Sequence, residues 1–556
     1  MIRFTIKKED IFMKKILALV LCLCMALAAV PALAADLLSA GSTYPLNSDK
    51  TITWYSQDCL NPHEKYATWQ ESPFHTNLNK LLGVNIEWSF PTTGADGGNF
   101  TNTLMADPGN LPNIMKGYFM DSANMLLEDE VIWDLTDYIQ EYAPAYYAWL
   151  QTNPAYDRAM KTDDGRYYAF GFFREDGGWN DSYLGVVIRQ DWLKECGLEA
   201  PTTISELENV IRVFKEKYDA QFAFANDGRF RQAGIQGAFG AYATGYVASD
   251  YGWFVKDGKL GFGATQPEWR EYMKWMNKMW AEGLIDQDSF SLDDTSIKAK
   301  VETGKSGVAY TSMGQLNLWN KDMGGDYWIG VHFPTSDDGQ ISSQFGGFGI
   351  GTHTTVITKT ADEETMKLCL QMLDYAYTQE GFLFWNYGIE GESWEMNPET
   401  GLPKWTALVA EDKDNDPMTK YNGATWGNSC IQATNLLYLK NSQTAIEAND
   451  AFFYTFGKDE YFADPEVEAK TLAVTGGWKW PVGITFTTDE SDQLDMLGGN
   501  SNLNTYVAEN YASFITGSKD INSDADWEAY LAGFNALNLD KIMAIRQGAL
   551  DRYESR

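Results

Sequence analysis

The sequence predicts two α/β lobes that are joined by hinge segments rather than by a linker. Its 556 residues exceed the size of a single small domain. Strand and helix patterns alternate along most of the chain, which is typical of sheets covered by helices. No internal repeat and no low-complexity linker interrupts this alternation. We therefore expect the chain to pass between the lobes through strands of the fold itself.

The first strand is predicted at residues 51–55, where Thr51-Ile52-Thr53-Trp54-Tyr55 alternates after a leader rich in small residues. The first clearly marked helix follows Pro201, because Thr203 and Glu206 have the spacing of a capping box. Its apolar positions recur at helical spacing, and they are Leu207, Val210, Ile211 and Phe214.

Further helices are predicted from the same two signals, an N-cap residue and an apolar stripe. Thr265 and Glu268 begin one helix, which ends at Gly283. Thr360 and Glu363 begin another, which ends at Gly381. Helical patterns also cover residues 506–514 and 527–553. The apolar stripes of the first two are Trp269, Tyr272, Met273, Met276 and Trp280, and Met366, Cys369, Leu370, Leu373 and Tyr377.

The composition excludes some classes of partner. The chain has 77 Asp and Glu against 43 Lys and Arg, which gives a formal net charge of −34. So acidic a surface repels phosphates and anionic headgroups, and we expect no nucleic-acid partner. Aromatic residues make up 14% of the chain. Large cores would explain this fraction, and so would a site built from aromatic platforms.

The N-terminus predicts a signal peptide at residues 1–34. Met13-Lys14-Lys15 precedes an apolar run over residues 16–30, and Ala32-Leu33-Ala34 has the form of a cleavage site. The product is therefore expected to be secreted across the cytoplasmic membrane. Cys22 and Cys24 each follow a leucine, whereas a lipid-accepting cysteine follows a small residue. We expect no lipid anchor.

The sequence contains parts of several catalytic and metal-binding motifs, but each motif lacks residues that its chemistry requires. Gly304-Lys305-Ser306 has the end of a P-loop without its beginning, and the four histidines form no ligand pair. Alternate aspartates over residues 412–416 lack the glycine and glutamate of an EF-hand loop. We expect no cofactor, no metal site and no catalytic residue. The catalytic carboxylate pair of a glycoside hydrolase is not excluded, because 77 acidic residues offer no basis for choosing or rejecting a particular pair.

Several tryptophans lie among glycine and polar residues, as in turns. Aromatic faces stack on the C–H faces of sugars, and nearby polar side chains bind the hydroxyls. Loop tryptophans also cover cores, so each position has two interpretations. The tryptophans in this context are Trp179, Trp253, Trp319, Trp426 and those of Gly476–Pro481.

In their order along the chain, eight short segments resemble the extracellular solute-binding protein family 1. These are receptors of ABC sugar importers, and the likeness is strongest to the long oligosaccharide-type members of Firmicutes. The segments are Gly109–Ile114, Asp134–Ile139, Asp164–Tyr168, Val187–Leu193, Trp280–Asp286, Gly304–Val308, Gly388–Glu392 and Phe514–Gly517.

The resemblance implies a two-lobed, type II periplasmic-binding-protein-like α/β fold with a hinge and an inter-lobe cleft. Lobe 1 would hold residues 36–173 and 346–405, and lobe 2 residues 174–345 and 406–556. Gly346–Gly351 would be a hinge strand. A monomer would bind a carbohydrate in the cleft and deliver it, unchanged, to the permease subunits of an ABC importer.

The resemblance also suggests where the ligand binds. In such proteins the cleft is lined by residues after the first strand, at the hinges and in loops of lobe 2. Aromatic side chains would stack on sugar rings and the others would bind hydroxyls. The candidates are Tyr55, Gln57, Asp58, Arg174, Asp176, Trp179, Trp253, Trp319, Glu390, Trp394 and Trp426. Some relatives hold calcium in an acidic loop of Asn, Asp and Gly after the helix that begins at Pro201-Thr202-Thr203. Residues 217–222 of this chain lack that pattern, so we expect no such calcium site.

Two alternatives remain at this point. A receptor of the same fold could bind a peptide or another solute, and for a peptide Arg174 or Asp58 would face the charged termini. A secreted glycoside hydrolase is the other. The sequence names neither the sugar nor its linkage, and it leaves open whether the protein works in a periplasm or at an open cell surface.

Overall fold

The computed structural model describes residues 42–57, 71–91, 97–152, 154–173, 184–224, 233–241, 252–331, 334–339, 350–398, 403–410 and 480–556. Two mixed sheets with helices packed against them form its framework. The strands are β1 Thr51–Ser56, β2 Asn85–Ser89, β3 Ile114–Gly117, β4 Phe170–Phe173, β5 Leu184–Arg189, β6 Gln221–Ala223, β7 Trp253–Lys256, β8 Lys259–Phe262, β9 Ser306–Ser312, β10 Trp328–Gly330, β11 Ile350–Ile357, β12 Trp394–Met396 and β13 Pro403–Trp405.

Helices occupy most of the remaining described chain. In chain order they are α1 Pro73–Leu82, α2 Gly97–Met105, α3 Ala123–Glu128, α4 Ile139–Tyr142, α5 Pro144–Thr152, α6 Pro154–Ala159, α7 Gln190–Cys196, α8 Ile204–Tyr218, α9 Ala233–Gln236, α10 Pro267–Ala281, α11 Asp294–Glu302, α12 Met313–Met323, α13 Glu363–Asp374, α14 Gln379–Tyr387, α15 Ala407–Ala410, α16 Thr488–Met496, α17 Gly499–Ile515, α18 Asp524–Ala536 and α19 Leu539–Glu554. Within the described ranges, no helix is both long and apolar enough to cross a membrane.

The first sheet has the strand order β2-β1-β3-β11-β4. Its strands β1, β2 and β3 run parallel, with Trp54 opposite both Trp88 and Ile114. Strand β11 runs against them, between β3 and β4. A strand from late in the chain therefore completes a sheet that the N-terminal part begins.

The second sheet has the strand order β10-β5-β9-β6. Strand β5 is antiparallel to both neighbours, with Leu184 opposite Ser312 and Val187 opposite Gly330. Strands β6 and β9 are parallel. Two further pairs, β7 with β8 and β12 with β13, form small hairpins.

Two large apolar clusters lie against the two sheets. The first core draws its buried residues from positions 52–173 and 356–385. The second core draws them from positions 186–331 and 484–553. Both cores thus combine distant parts of the chain. A smaller third cluster packs α12 against β5, β9 and β10 through Trp319 and Trp328.

The predicted first strand and the first predicted helix cap are confirmed. Strand β1 covers residues 51–56. The Thr203 side chain accepts from the backbone N–H of Glu206, and the Glu206 side chain accepts from that of Thr203, so the capping box is complete. Burial of Leu207, Val210, Ile211 and Phe214 confirms the predicted apolar face of α8, which joins the second core.

Two other predicted caps are wrong by one or two residues. Helix α10 follows Gln266, with Pro267 in its first turn, because the Thr265 hydroxyl donates to the Phe262 carbonyl instead of capping the helix. Helix α13 is capped by Asp362, because the Thr360 hydroxyl donates to the Leu111 carbonyl. The Thr265 hydroxyl is thus occupied by a local bond, and the Thr360 hydroxyl by a bond to a residue remote in sequence.

Two predicted helices are each divided in the structure. The helix expected to end at Gly381 stops at Asp374, and after a turn at Tyr375–Tyr377 the Thr378 side chain caps α14. The pattern over residues 527–553 is interrupted at Asn538, whose φ of 55° is left-handed. The apolar periodicity of the sequence continues across the turn, so it does not predict where the helix is interrupted.

Asp374 lies fully buried at the end of α13. Its Oδ1 accepts a hydrogen bond of 2.8 Å from the backbone N–H of Tyr146, in the first turn of α5. The carboxyl group therefore satisfies one of the backbone donors that a helix N-terminus leaves without an intrahelical partner. It joins two helices of the first core.

A charged contact connects the part of the chain that forms the first core with the last helix. Asp163, which precedes β4, accepts from Arg552 Nε at 2.7 Å through one oxygen and from Arg556 Nε at 2.8 Å through the other. Arg556 also donates to the carbonyls of Lys161 and Gly483.

Candidate functional site

The candidate site lies at the carboxyl edge of the first sheet. Strands β1 and β3 run in the same direction and end there, and β11 begins there, with Ile350 opposite Phe173 of β4. Ligands of open α/β sheets bind outside the carboxyl ends of the strands. Polar and aromatic groups that converge at this edge are therefore candidates for ligand binding.

The chain passes between the two sheets from this same edge. It leaves β4 at residue 173 and enters β5 at residue 184. It leaves β10 at residue 330 and enters β11 at residue 350. In the second sheet, Leu184 lies opposite Ser312 at the end of β9, so β5 begins where β9 ends. Both crossings thus join one edge of each sheet.

Three side chains form a buried hydrogen-bonded row at the end of β1. The Thr101 hydroxyl, on α2, donates to Gln57 Oε1 at 2.9 Å. The same hydroxyl lies 2.9 Å from the Tyr55 hydroxyl, which must then be the donor because threonine has one hydrogen to give. Within the described chain no group accepts from Gln57 Nε2. The row fixes the carboxamide and leaves its N–H groups for another partner.

A glycine makes room for this carboxamide. A Cβ at Gly117, the last residue of β3, would lie 2.8 Å from Gln57 Oε1 and 3.1 Å from the Phe119 ring. Such approaches are too close for a side chain without rearrangement. The Gln57 backbone N–H donates to the Lys116 carbonyl at 3.0 Å. Gln57 therefore lies against the end of β3 through both its backbone and its side chain.

An exposed aromatic ring follows directly. Tyr118, the residue after β3, is 49% exposed. Its ring centroid lies 4.2 Å from that of His353, with 46° between the two planes. His353 is buried on β11, next to Thr354, which pairs with Gly117. The edge thus combines a carboxamide, a hydroxyl row and an aromatic ring, and these are hydrogen-bonding and stacking groups.

Two of the predicted site residues, Tyr55 and Gln57, are brought together here. Sequence reasoning missed Thr101, Tyr118 and His353. One signal for Tyr118 was available, because it follows a short apolar strand just as Gln57 does. Among the described residues, no group of three or more His, Cys, Asp or Glu side chains is placed to hold a metal ion.

Of the tryptophans predicted in loops, Trp253 and Trp319 are buried in regular elements, so that part of the prediction is wrong, whereas Trp480 lies outside helices and strands and is partly buried. Trp394, a further site candidate, is buried as well. Trp253 lies in β7, where its Nε1 donates to Asn500 at 3.0 Å. Trp319 lies in α12 and packs edge-on against Trp328. Trp394 lies in β12, and its Nε1 donates to the Gly388 carbonyl at 3.2 Å. All three indoles are core groups with no face presented for stacking.

The remaining predicted residues divide into two groups. Glu390 is exposed in the turn before β12. Within the described chain it shares no hydrogen bond with Gln57 or Thr101. The others lie outside the described residues, and they are Asp58, Arg174, Asp176, Trp179 and Trp426. Their role in binding stays a prediction.

Two sheets covered by helices are joined through the β4–β5 and β10–β11 segments at the edge where the first sheet carries polar groups, and this is the architecture of a solute-binding protein. The family model described as "Bacterial extracellular solute-binding protein" matches residues 76–381, more than half of the chain. The protein belongs to this family. The family assignment made from the eight sequence segments is confirmed.

One curated relative matches over nearly the whole length of the chain, and a second matches over about two thirds of it. The chain is 25% identical over 531 residues to the fructooligosaccharide ABC transporter substrate-binding protein FusA of Streptococcus pneumoniae, covering 93% of each chain. It is also 25% identical over 390 residues to the polygalacturonan/rhamnogalacturonan-binding protein YtcQ of Bacillus subtilis, covering 64% of this chain and 74% of YtcQ.

Solved structures show the same fold. FusA of S. pneumoniae in complex with kestose superposes with a TM-score of 0.67 at 21% identity, covering 91% of this chain and 100% of FusA. A human-milk-oligosaccharide (HMO)-binding solute-binding protein of Bifidobacterium longum infantis gives a TM-score of 0.68 at 16% identity, covering 91% and 99%. The predicted fold class, two α/β lobes of the type II periplasmic-binding-protein kind, is confirmed.

Proposed function

We propose that this protein is the extracytoplasmic substrate-binding component of an ABC importer and that it binds an oligosaccharide between two lobes. The lobes would be residues 36–173 with 346–405, and 174–345 with 406–556. A monomer would hand its ligand, chemically unchanged, to the permease subunits of the importer. The protein would be secreted by means of residues 1–34 and would carry no lipid anchor.

The observation that carries the proposal is the set of groups at the carboxyl edge of the first sheet. Gln57 keeps two N–H donors for a ligand while Thr101 holds its oxygen. Tyr118, the residue after β3, offers an exposed ring at the same edge of the sheet. Sugars present hydroxyl groups and apolar C–H faces, so donors and a ring are the groups that recognise them.

The relatives support the same ligand class. FusA is described as fructooligosaccharide-binding, YtcQ as polygalacturonan- and rhamnogalacturonan-binding, and both are about equally similar to this chain. Their common feature is a ligand made of linked sugars rather than one particular sugar. Both names describe binding, and the described groups at the site serve binding, so we propose no enzymatic activity.

Thermal unfolding of residues 35–556 with candidate ligands tests the proposal. The panel contains kestose, nystose, galacturonan oligomers and short peptides. A ligand present at 100 times its Kd adds about 2.7 kcal/mol to the stability of the native state, which raises Tm measurably. We expect a rise with one of the oligosaccharides, and we expect that sugar to be recovered intact by chromatography.

A pair of variants separates specific from general effects. Gln57→Ala is expected to reduce the ligand-induced rise in Tm, because it removes the carboxamide. Gln493→Ala replaces an exposed glutamine on α16, far along the chain from this edge, and is expected to leave the rise unchanged. A rise with peptides alone would contradict the ligand class, and a shortened sugar would contradict the absence of catalysis.

A further inference from the structure

The segment before α16 is in contact with both cores. Val482 packs against the first core, whereas Ile484 and Phe486 are buried in the second. The Phe486 carbonyl accepts a hydrogen bond of 2.8 Å from Asn124 Nδ2, on α3. The end of α19 lies here too, through its bonds to Asp163. We call the contact of residues 482–488 and 552–556 with residues 124–128 and 158–163 the junction.

The Arg556 side chain joins the two sides of the junction. It is 6% exposed and donates hydrogen bonds in both directions. On the side of the first core its acceptors are Asp163 Oδ1 at 2.8 Å and the Lys161 carbonyl at 2.6 Å. On the other side they are the Gly483 carbonyl at 3.0 Å and Thr485 Oγ1 at 2.6 Å. Charge-assisted bonds divided in this way hold the two sides at a fixed distance.

The two backbones of the junction meet closely at Gly483. Its φ of 96° favours glycine, and a Cβ there would lie 2.5 Å from the Cβ of Ala159. Opening the junction would end this contact and break the bonds of Arg556 and Asn124 at the same time. A ligand can shift an equilibrium only by the difference in its affinity for the two states, so so extensive a contact is poorly suited to open on binding.

The junction adjoins the two passages of the chain between the sheets. Residue 173 ends β4 and residue 350 begins β11, and the two are paired. Phe173 stacks on Tyr156 of α6 at a centroid distance of 4.7 Å. Met160, which follows α6, lies with its sulfur 2.7 Å from the position of a Cβ on Gly171. These three connections are therefore gathered beside β4, and connections gathered at one strand favour rotation as the relative motion of two lobes.

From this arrangement we propose that the junction is the axis about which the two lobes turn when the ligand binds. Its contacts are the same in the empty and in the loaded protein, and Gly483 and Arg556 are its positioning residues. The proposal rests on the proposed function, which it deepens by naming the contact that directs lobe closure. Ligand affinity then depends on the geometry of the junction and not on each of its hydrogen bonds.

Calorimetric titration with kestose, nystose and galacturonan oligomers tests the dependence on geometry. For the oligosaccharide that the wild-type protein binds, Gly483→Ala is expected to raise Kd at least fivefold, because the added Cβ forces the two sides apart and reduces the fraction of correctly aligned lobes. Gly324→Ala is the matched control, since Gly324 also has a positive φ, of 75°, but no atom lies within 4 Å of its Cβ position. It is expected to leave Kd unchanged. An unchanged Kd in Gly483→Ala would overturn the axis.

Removal of a single bond tests whether the contact is present in both states. Asn124→Ala takes away the bond to the Phe486 carbonyl and adds no atom to the junction. It is expected to lower Tm, while Kd stays within threefold of the wild type. A contact made in only one state would couple to binding, so a change in Kd above fivefold would contradict the proposal.

Hydrogen–deuterium exchange observes the junction without any variant, so it is decisive even if Gly483→Ala fails to fold. Small-angle scattering is expected to show compaction of the wild-type protein on binding. The amides of residues 484–490 and 550–556 are expected to exchange at the same rates with and without the oligosaccharide. Altered exchange there, or binding without compaction, would overturn the axis and leave the proposed function intact. Failure of the wild-type protein to bind every oligosaccharide of the panel would contradict the proposed function and the axis with it.

Discussion

Replacing Asp374 by asparagine is expected to remove a pH-dependent loss of stability. Burial raises the pKa of this carboxyl from its ordinary value of 3.8 to about 7, although the hydrogen bond from the Tyr146 backbone opposes the rise. The unfolded chain therefore loses the proton near pH 4, whereas the native protein keeps it until about pH 7. Between these values the native state binds more protons, so the free energy of unfolding falls as the pH rises.

The magnitude follows from the two pKa values. One pKa unit corresponds to about 1.4 kcal/mol, so the full loss amounts to about 4 kcal/mol, of which about 3 kcal/mol falls between pH 5 and pH 8. This is a large fraction of the stability of a typical domain, which is about 5–15 kcal/mol. Asparagine keeps an oxygen acceptor for the Tyr146 N–H and has no charge to bury. Its stability should therefore lack this contribution to the pH dependence.

Urea unfolding followed by circular dichroism, at several values between pH 5 and pH 8, measures the effect. Other groups titrate in this range too, and they cancel in the difference between Asp374→Asn and the wild type. That difference is expected to move in favour of the variant by about 3 kcal/mol from pH 5 to pH 8. Asp129→Asn, an exposed aspartate after α3, is expected to follow the wild type. A difference that stays constant with pH would refute the reasoning.

Two further pairs of substitutions test structural contacts by the same urea unfolding. Asp163→Ala leaves Arg556, whose side chain is 6% exposed, without its carboxylate, and is expected to lower the free energy of unfolding by about 3–5 kcal/mol. Asp524→Ala removes an exposed carboxylate from its ion pair with Arg270 and is expected to cost under about 1 kcal/mol. Equal losses would show that burial of the carboxylate is irrelevant here. Thr203→Ala removes the cap of α8 and is expected to cost about 1 kcal/mol. Thr203→Ser should restore most of it, and an equal loss with serine would contradict a capping role.

The helices were the most predictable part of the fold, because their apolar periodicity and caps are local. The capping box of Thr203 needs residues three positions apart and nothing else. The N-terminus of α13 illustrates the limit. Thr360 and Asp362 are both good caps by type, and the choice between them depends on a bond from Thr360 to Leu111, which is remote in sequence. Because a tertiary contact decides which residue caps the helix, the sequence around the helix N-terminus does not predict the cap.

The candidate site was predictable only where it follows a strand. Tyr55 and Gln57 were found because they end β1. Thr101 comes from a different element and reaches Gln57 only once α2 is packed, so no spacing in the sequence announces it. The asparagine beside Trp319 suggested a turn, but Trp319 is helical and buried. The residues next to a large apolar side chain predict its backbone conformation poorly when that side chain can be buried in a core.

The position of β11 in the chain determines when the first sheet can be completed during synthesis. Strand β4 pairs with β11, and β11 also pairs with β3, so the first sheet stays incomplete until the residues of the second sheet have been made. The second core in turn waits for residues 484–553. Contacts between such distant segments close slowly. The first sheet and the second core of this protein are thus completed only late in its synthesis.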